Sequence, residues 1–223
     1  MLALLALQGI NAFIIPVVFP ADSGWAQVCQ DILLTLTVLS GFYAVVGRSK
    51  VMALLIAISA VALAVHWAAW LYPLALDEAS RNVVTVGVLG LIWAAIAAHV
   101  FGPGDVTLNR VAGAVVLYVL AGLIFAYLYA LAAIHDDHAF AGVTKAALAA
   151  DRSTWIYFSF VTLTTVGYGD IVPVSHGARA LATVEALIGQ IYPAVILGRL
   201  VSLQVTSITQ TPAKRARDYE DAP

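Results

Sequence analysis

Residues 155–173 read WIYFSFVTLTTVGYGDIVP, and this stretch decides the fold. Its apolar part, residues 155–168, would reach only about 21 Å as a helix, whereas a span must cross about 30 Å of hydrocarbon. Non-helical backbone is tolerated at membrane depth only where protein or a water-filled cavity satisfies its polar groups. We therefore predict a re-entrant segment, with a short helix over 153–163 and an extended return through 164–170. If the helix is counted from Trp155 to about Leu163, its candidate caps are Asp151, Ser153 or Thr154.

The composition of the chain is that of a membrane protein. Of its 223 residues, 62% are hydrophobic and 11% are charged, whereas about a quarter of the residues of a soluble domain are charged. The single cysteine, Cys29, excludes an intrachain disulfide framework and a cysteine-built zinc site. A formal net charge of -2 argues against a nucleic-acid binder. The lipid bilayer is therefore the expected surrounding of the chain.

Six apolar stretches have about the length of a membrane span. They cover residues 2–20, 26–47, 51–72, 83–101, 111–134 and 179–207. The first stretch lacks the basic start and the small-residue cleavage site of a signal peptide, so we interpret it as a retained helix. Together with the re-entrant segment, these stretches predict an all-α membrane protein with about six transmembrane helices.

The run Thr165-Val-Gly-Tyr-Gly-Asp170 lies between a short helix and a final apolar span, and it resembles the selectivity-filter signature of potassium channels. The end of the chain resembles the inner helix of bacterial channels with a single pore loop per chain. The resemblance covers residues 109–208 and implies an outer helix over 111–134, a turret over 135–152, a pore helix over 153–163, a filter over 164–170 and an inner helix over 179–207. It implies passive K⁺ conduction with no cofactor and no enzymatic activity.

The physical requirement behind such a filter is a ring of oxygens that replaces the hydration shell of the ion. One loop supplies only part of each ring, and the chain holds one filter without an internal repeat, so a closed homotetramer is predicted. The expected K⁺ ligands are the carbonyls of Thr165, Val166, Gly167 and Tyr168, with the Thr165 hydroxyl. Gly167 and Gly169 can adopt the positive φ that turns successive carbonyls toward one axis. The side chains of Val166 and Tyr168 should then point back into protein.

The surroundings of the filter depart from the best-known bacterial pattern. Val161 stands where some potassium channels carry a carboxylic acid, so we expect Tyr157 to hydrogen-bond Asp170 instead. Phe158 replaces a possible donor to Tyr168, which leaves Thr162 as the expected partner of Tyr168. The predicted supporting residues are therefore Tyr157, Thr162, Thr164, Gly169 and Asp170.

The inner helix carries the candidate gating residues. Gly189 and Pro193 lie one turn apart and predict a bend, because proline removes a helical hydrogen bond and glycine removes steric restraint. The 3.6-residue period extends this stripe to Leu197 and Val201, which are expected to form apolar rings at the inner mouth. Glu185 lies within the same span, where a charged side chain is costly. We interpret it as a gating candidate; the alternatives are a supporting hydrogen bond or partial protonation between subunits.

Residues 1–108 are predicted to form a four-helix membrane domain without the regularly spaced arginines of a voltage sensor. Residues 209–223 form a cytoplasmic tail that is too short for a regulatory domain. More Lys and Arg residues fall on the predicted inner side, so both termini are expected in the cytoplasm and the protein in the cell membrane.

Three alternatives to a tetrameric channel are open at this point. Gly167-Tyr-Gly-Asp170 also fits the pattern of intramembrane aspartyl proteases, with Asp31 as the only candidate second aspartate. A potassium-uptake translocator would carry four degraded filters in one chain. A non-conducting sensory or structural membrane protein that retains a pore module is the third.

Overall fold

The structure is a computed structural model, and it describes residues 2–14, 77–102, 107–143 and 152–220, with isolated positions at 18, 28, 29, 32, 33, 35, 36 and 67. Side chains are described up to Arg199, except those of residues 2, 3 and 13. The predicted spans 26–47 and 51–72 lie almost wholly outside the described residues, as do Asp151 and the Val201 side chain. The predictions for these parts of the chain stay predictions.

Five α-helices make up most of the described chain. They are α1 (Leu2–Gly9), α2 (Glu78–Val100), α3 (Leu108–His135), α4 (Arg152–Leu163) and α5 (His176–Glu220), and a π-helical turn at Ile10–Ile14 follows α1. Within the described residues, three helices are long and apolar enough to cross a membrane: Glu78–Val100, Leu108–His135 and His176–Arg199. The protein is therefore mostly helical with three candidate spans, and these correspond to the fourth, fifth and sixth predicted stretches.

Helix α3 is the centre of the described structure. It contacts α1, α2, α4 and α5, and its side chains Val116, Leu117, Leu120 and Tyr129 are completely buried. This helix is apolar on all its faces, and such a helix is stable only when neighbours surround it. The short helix α4 and the long helix α5 both pack on α3, so α3 determines where α4 and the segment after it lie.

An aromatic cluster fastens α4 to α3 and to the segment that follows α3. The rings of Tyr129 and Phe158 lie 4.8 Å apart, and those of Phe140 and Trp155 lie 4.9 Å apart. Such pairs add about 0.5–1.5 kcal/mol each beyond their burial. Phe158, where the sequence analysis noted the absence of a donor to Tyr168, is thus a core residue of this cluster.

Two short strands join the segment after α3 to the segment after the filter. Strand β1 (Phe140–Ala141) pairs antiparallel with β2 (Val172–Pro173), with Phe140 opposite Pro173. Next to this pair, Gly142 has φ +88°, and a β-carbon at this position would lie 1.8 Å from the Asp170 carbonyl oxygen. Strands of two residues are too short to show a period of two, so the sequence did not predict them.

Helix α5 is longer than the predicted inner helix and is the least buried of the three candidate spans. It begins at His176, three residues before the predicted start, and its backbone continues to Glu220, through most of the predicted tail. At the end of the candidate span His176–Arg199, the Arg199 guanidinium donates to the Gly102 carbonyl at 3.3 Å and lies 5.3 Å from the centre of the Phe101 ring. Arg199 therefore connects α5 to the segment that follows α2.

Candidate functional site

The filter segment begins directly beneath the C-terminal end of α4. The Val161 carbonyl accepts hydrogen bonds from Val166 N at 2.9 Å and Gly167 N at 3.3 Å, and the Thr162 carbonyl accepts from Thr165 N at 2.9 Å. Carbonyls at a helix C-terminus have no partner within the helix. Here the returning chain satisfies them, so the end of the short helix and the start of the filter form one hydrogen-bonded unit.

The backbone of the filter alternates in conformation. Gly167 and Gly169 have φ values of +57° and +79°, as expected from the sequence, and Thr165 has φ +59°. Val166 and Tyr168, which alternate with them, are not in this left-handed region. A threonine with positive φ is uncommon because its β-branched side chain is crowded there. The positive φ of Thr165 was not predicted from the sequence.

The side chains of the filter are not covered by their own chain. Val166 is 53% exposed and Tyr168 is 71% exposed, whereas the sequence analysis expected both to point into protein. No hydrogen bond joins Thr162 to Tyr168 within the described part of this chain. Within one chain, therefore, these two expectations are not met.

At the far end of the filter, Tyr157 donates a hydrogen bond to Asp170 at 2.7 Å, which confirms the predicted pairing. The Tyr157 ring also lies nearly parallel to the Tyr168 ring, with centroids 6.5 Å apart. Both partners of the hydrogen bond lie outside the candidate spans. The bond lowers the pKa of Asp170 below its ordinary value, and it raises the pKa of Tyr157 to about 12. The hydrogen bond from Tyr157 thus favours the ionised form of Asp170.

The start of the filter is connected to α5 by Gln190. The Gln190 amide Nε2 donates to the Thr165 hydroxyl at 2.8 Å, and that hydroxyl donates to the Thr164 carbonyl at 2.7 Å. The Thr164 hydroxyl donates in turn to the Phe160 carbonyl at 2.6 Å. The sequence analysis missed Gln190, because a single glutamine in an apolar helix matches no motif. Its position immediately after Gly189 was the only available signal.

Gly189 lies where α4 and α5 come closest together. A β-carbon at this position would stand 1.8 Å from the Leu163 carbonyl oxygen, and the same carbonyl accepts a hydrogen bond from the Tyr118 hydroxyl at 3.2 Å. The structure thus gives Gly189 a packing role that the sequence analysis did not consider. Pro193 lies within the continuous helix α5, and the predicted bend stays a prediction.

The remaining gating candidates differ in their surroundings. Leu197 is 62% exposed. Glu185 is completely buried, and its carboxyl oxygens each lie 2.5 Å from a hydroxyl oxygen, that of Tyr129 on α3 and that of Ser159 on α4. Partial protonation between subunits was one of the interpretations from the sequence and stays a prediction. The hydrogen bonds seen here are made within a single chain, because the crossing of three helices brings the residues together.

Comparison with known proteins identifies the class to which this fold and site belong. Residues 114–205 match a family model described as an ion channel, and this stretch lies within the predicted pore domain 109–208. The chain is 36% identical to Protein LctB of Geobacillus stearothermophilus over 130 residues, which are 56% of this chain and 96% of that relative. It is 32% identical to Protein LctB of Bacillus caldotenax, also over 130 residues and 96% of the relative.

The chain therefore belongs to the ion channel family and is not an enzyme. This conclusion removes the intramembrane protease from the alternatives. The matched stretch, residues 114–205, covers most of α3, all of the short helix α4, the segment 164–170 and the first part of α5.

Proposed function

We propose that the protein is a potassium-selective channel in which four copies of the chain surround one pore. The observation that carries the proposal is the unaltered filter run from Thr165 to Gly169, held under α4 with alternating backbone conformation. Alternation of this kind brings consecutive carbonyls to one side of the chain. Rings of backbone carbonyls are how potassium filters replace the hydration shell of the ion.

The apolar surface of one chain supports the tetramer. Val166 and Tyr168 are exposed at the filter, and α5 presents a further exposed apolar face. This face consists of Val184, Leu187, Ile188, Ile191 and Val195. Residues at these spacings share one side of a helix. A chain with one filter needs partners, and symmetric copies would cover these side chains.

The expected carbonyl ligands of K⁺ are those of Thr165, Val166, Gly167 and Tyr168, with the Thr165 hydroxyl at the inner end. Tyr157 and Asp170 support the outer end, and Gln190 supports the inner end. The C-terminus of α4 directs the negative end of its helix dipole toward the same region, which favours a cation there.

Gating is not conventionally voltage-dependent in this proposal. Helix α2 carries one arginine, Arg81, in its first turn. A voltage sensor needs several, since moving one charge through 100 mV supplies only about 2.3 kcal/mol. We place both termini in the cytoplasm, with the filter opening toward the outside of the cell membrane.

Reconstituted protein tests the selectivity. In planar bilayers with K⁺ on one side and Na⁺ on the other, we expect a reversal potential far from 0 mV and passage of Rb⁺ but not of Li⁺. Reversal near 0 mV would contradict selectivity, and no current from a well-folded tetramer would favour the non-conducting alternative. Light scattering in detergent tests the assembly, where four chains of 23.5 kDa amount to about 94 kDa of protein.

A further inference from the structure

Glu185 belongs to a chain of hydrogen bonds that connects three helices. Its Oε2 lies 2.5 Å from the Tyr129 hydroxyl, and its Oε1 lies 2.5 Å from the Ser159 hydroxyl. The Ser159 hydroxyl lies 2.7 Å from the carbonyl oxygen of Gly122. Tyr129 and Gly122 are on α3, Ser159 is on α4 and Glu185 is on α5. The outer helix, the pore helix and the inner helix of the pore domain therefore meet at one carboxyl group.

The number of protons in this cluster determines which arrangement is possible. Each of the three oxygen pairs lies at the distance of an O–H···O hydrogen bond, so each pair needs a proton between its oxygens. The hydroxyls of Tyr129 and Ser159 supply one proton each. The Gly122 carbonyl is an acceptor only and supplies none. An ionised Glu185 would thus leave one oxygen pair in contact without a proton.

A protonated Glu185 removes this conflict. The Tyr129 hydroxyl then donates to Oε2, the carboxyl proton on Oε1 is donated to Ser159, and the Ser159 hydroxyl donates to the Gly122 carbonyl. Every donor and acceptor has a partner in this arrangement, as buried polar groups require. If Glu185 were ionised and accepted from both hydroxyls, two lone-pair-bearing oxygens, those of Ser159 and Gly122, would face each other at 2.7 Å.

Among the described side chains, the hydrogen-bond partners of Glu185 are uncharged hydroxyl groups, which give no opposite charge to favour the ionised form. In the described part of the chain its carboxyl group forms no ion pair. On α3 the titratable groups near it are Tyr129 and, further away, Tyr118, and on α4 Tyr157 is bound to Asp170 instead. The two arginines of α5 whose side chains are described have other partners, since Arg179 donates to the Pro173 carbonyl and Arg199 donates to the Gly102 carbonyl.

We propose that Glu185 is a positioning residue that carries a proton, and that this proton completes the hydrogen-bond chain that fastens the inner helix to the pore helix and the outer helix. Removal of the proton to solvent at alkaline pH leaves an uncompensated charge in the membrane interior, which is costly. Ser159 is then drawn away from Gly122, and the support of α4 weakens. We expect K⁺ conduction to fall as the pH rises.

Infrared spectroscopy of the full-length protein tests the proton directly. Glu185 is the only buried acidic side chain among the described residues. At neutral pH we expect the carbonyl band of a protonated carboxyl group, and we expect this band to shift in D₂O and to disappear in Glu185→Gln. The control is Glu78→Gln in the first turn of α2, where an exposed side chain is replaced. That substitution should remove a carboxylate band and leave the protonated band unchanged.

Tyr129→Phe is a second variant for the infrared measurement, and it tests the proposal if Glu185→Gln does not fold. It removes the hydrogen bond to Oε2 but leaves the proton on Oε1, so the carbonyl band should move to higher frequency without loss of intensity. Absence of a protonated-carboxyl band in the wild type, or a band that neither variant changes, overturns the proposal.

The functional part of this inference rests on the proposed potassium conduction. In liposome flux assays, Glu185→Gln should conduct where Glu185→Leu does not, because glutamine can donate to Ser159 and accept from Tyr129 as the protonated acid does. The wild type should lose flux with rising pH, whereas Glu185→Gln should not. A wild type that conducts at all pH values overturns this coupling. If no variant conducts, the proposed function fails, but the infrared result still decides the protonation of Glu185.

Discussion

The carbonyl oxygen of Leu163 lies against the Cα of Gly189, so close that a β-carbon at position 189 would stand 1.8 Å from that oxygen. Leu163 is the last residue of the short helix α4, and Gly189 lies in the part of α5 that faces it. The filter segment starts directly after Leu163. The close approach of α5 to the end of α4, and so to the start of segment 164–170, therefore depends on the absence of a side chain at position 189.

This contact predicts that Gly189→Ala is destabilising. The added methyl group would overlap backbone, which cannot rotate away as a flexible side chain can, so we expect a loss of at least about 1–3 kcal/mol of stability. The measurement is the melting temperature of the assembled protein in detergent, together with K⁺ flux. Gly198→Ala is the matched control, because a β-carbon there meets no atom of the described residues within 4 Å outside its own turn of helix. Equal melting temperatures for the two variants would contradict the prediction.

The hydrogen bond from Gln190 to Thr165 predicts energetic coupling between the inner helix and the filter. Gln190→Met and Thr165→Val each remove one partner with little change in volume. A double-mutant cycle on stability in K⁺ should give a coupling of about 1 kcal/mol, the usual size of one hydrogen bond. Thr183→Val is the control, since the Thr183 hydroxyl bonds only to its own helix at Arg179. Strict additivity of Gln190→Met and Thr165→Val would argue against the coupling.

The Tyr157–Asp170 hydrogen bond predicts that Tyr157→Phe is more sensitive to acid than the wild type. The pKa of Asp170 is lowered in the folded protein, chiefly by this bond. Its stabilising contribution is therefore fully present above the ordinary value of 3.8 and is lost as the pH falls through the lower, folded-state value. In Tyr157→Phe that folded-state value returns toward 3.8, so acid loss of K⁺ selectivity should begin at a higher pH than in the wild type.

Bilayer recordings at decreasing external pH measure this shift. Asp137→Asn, which changes an exposed acid between α3 and β1, is the control and should have the acid profile of the wild type. Identical profiles for Tyr157→Phe and the wild type would count against a supporting role for the bond.

The exposed inner part of α5 predicts where a gate would lie. Leu197 is exposed, whereas the adjacent Ile196 packs against the core. In a background that lacks Cys29, Leu197→Cys should react with a cytoplasmic thiol reagent severalfold faster than Ile196→Cys. Val201→Asp should hydrate the expected apolar ring and raise the resting open probability. Similar reactivity of the two cysteines, with unchanged gating in Val201→Asp, would refute an inner gate at this position.

The sequence alone determined those features that depend on interactions between residues close together in the chain. The helix predicted over 153–163 is observed at Arg152–Leu163, because its apolar run is too short to span and Thr164 begins a segment with glycine at alternate positions. The positive φ values at Gly167 and Gly169, and the pairing of Tyr157 with Asp170, follow from residue types within thirteen positions of each other. The long helix α3 could be predicted from its apolar composition alone.

The tertiary structure decided the contacts between residues that are distant in sequence. Gln190 and Thr165 are 25 positions apart, and Glu185 and Tyr129 are 56 apart. Whether such residues meet depends on the crossing and the register of packed helices, which a rotation of one residue along α5 would change by about 100°. The hydrophobic pattern of a helix indicates which of its faces is buried. It does not indicate which polar group on a neighbouring helix a residue of that face will contact. The filter-like run could therefore be found in the sequence, whereas its contact with α5 through Gln190 could not.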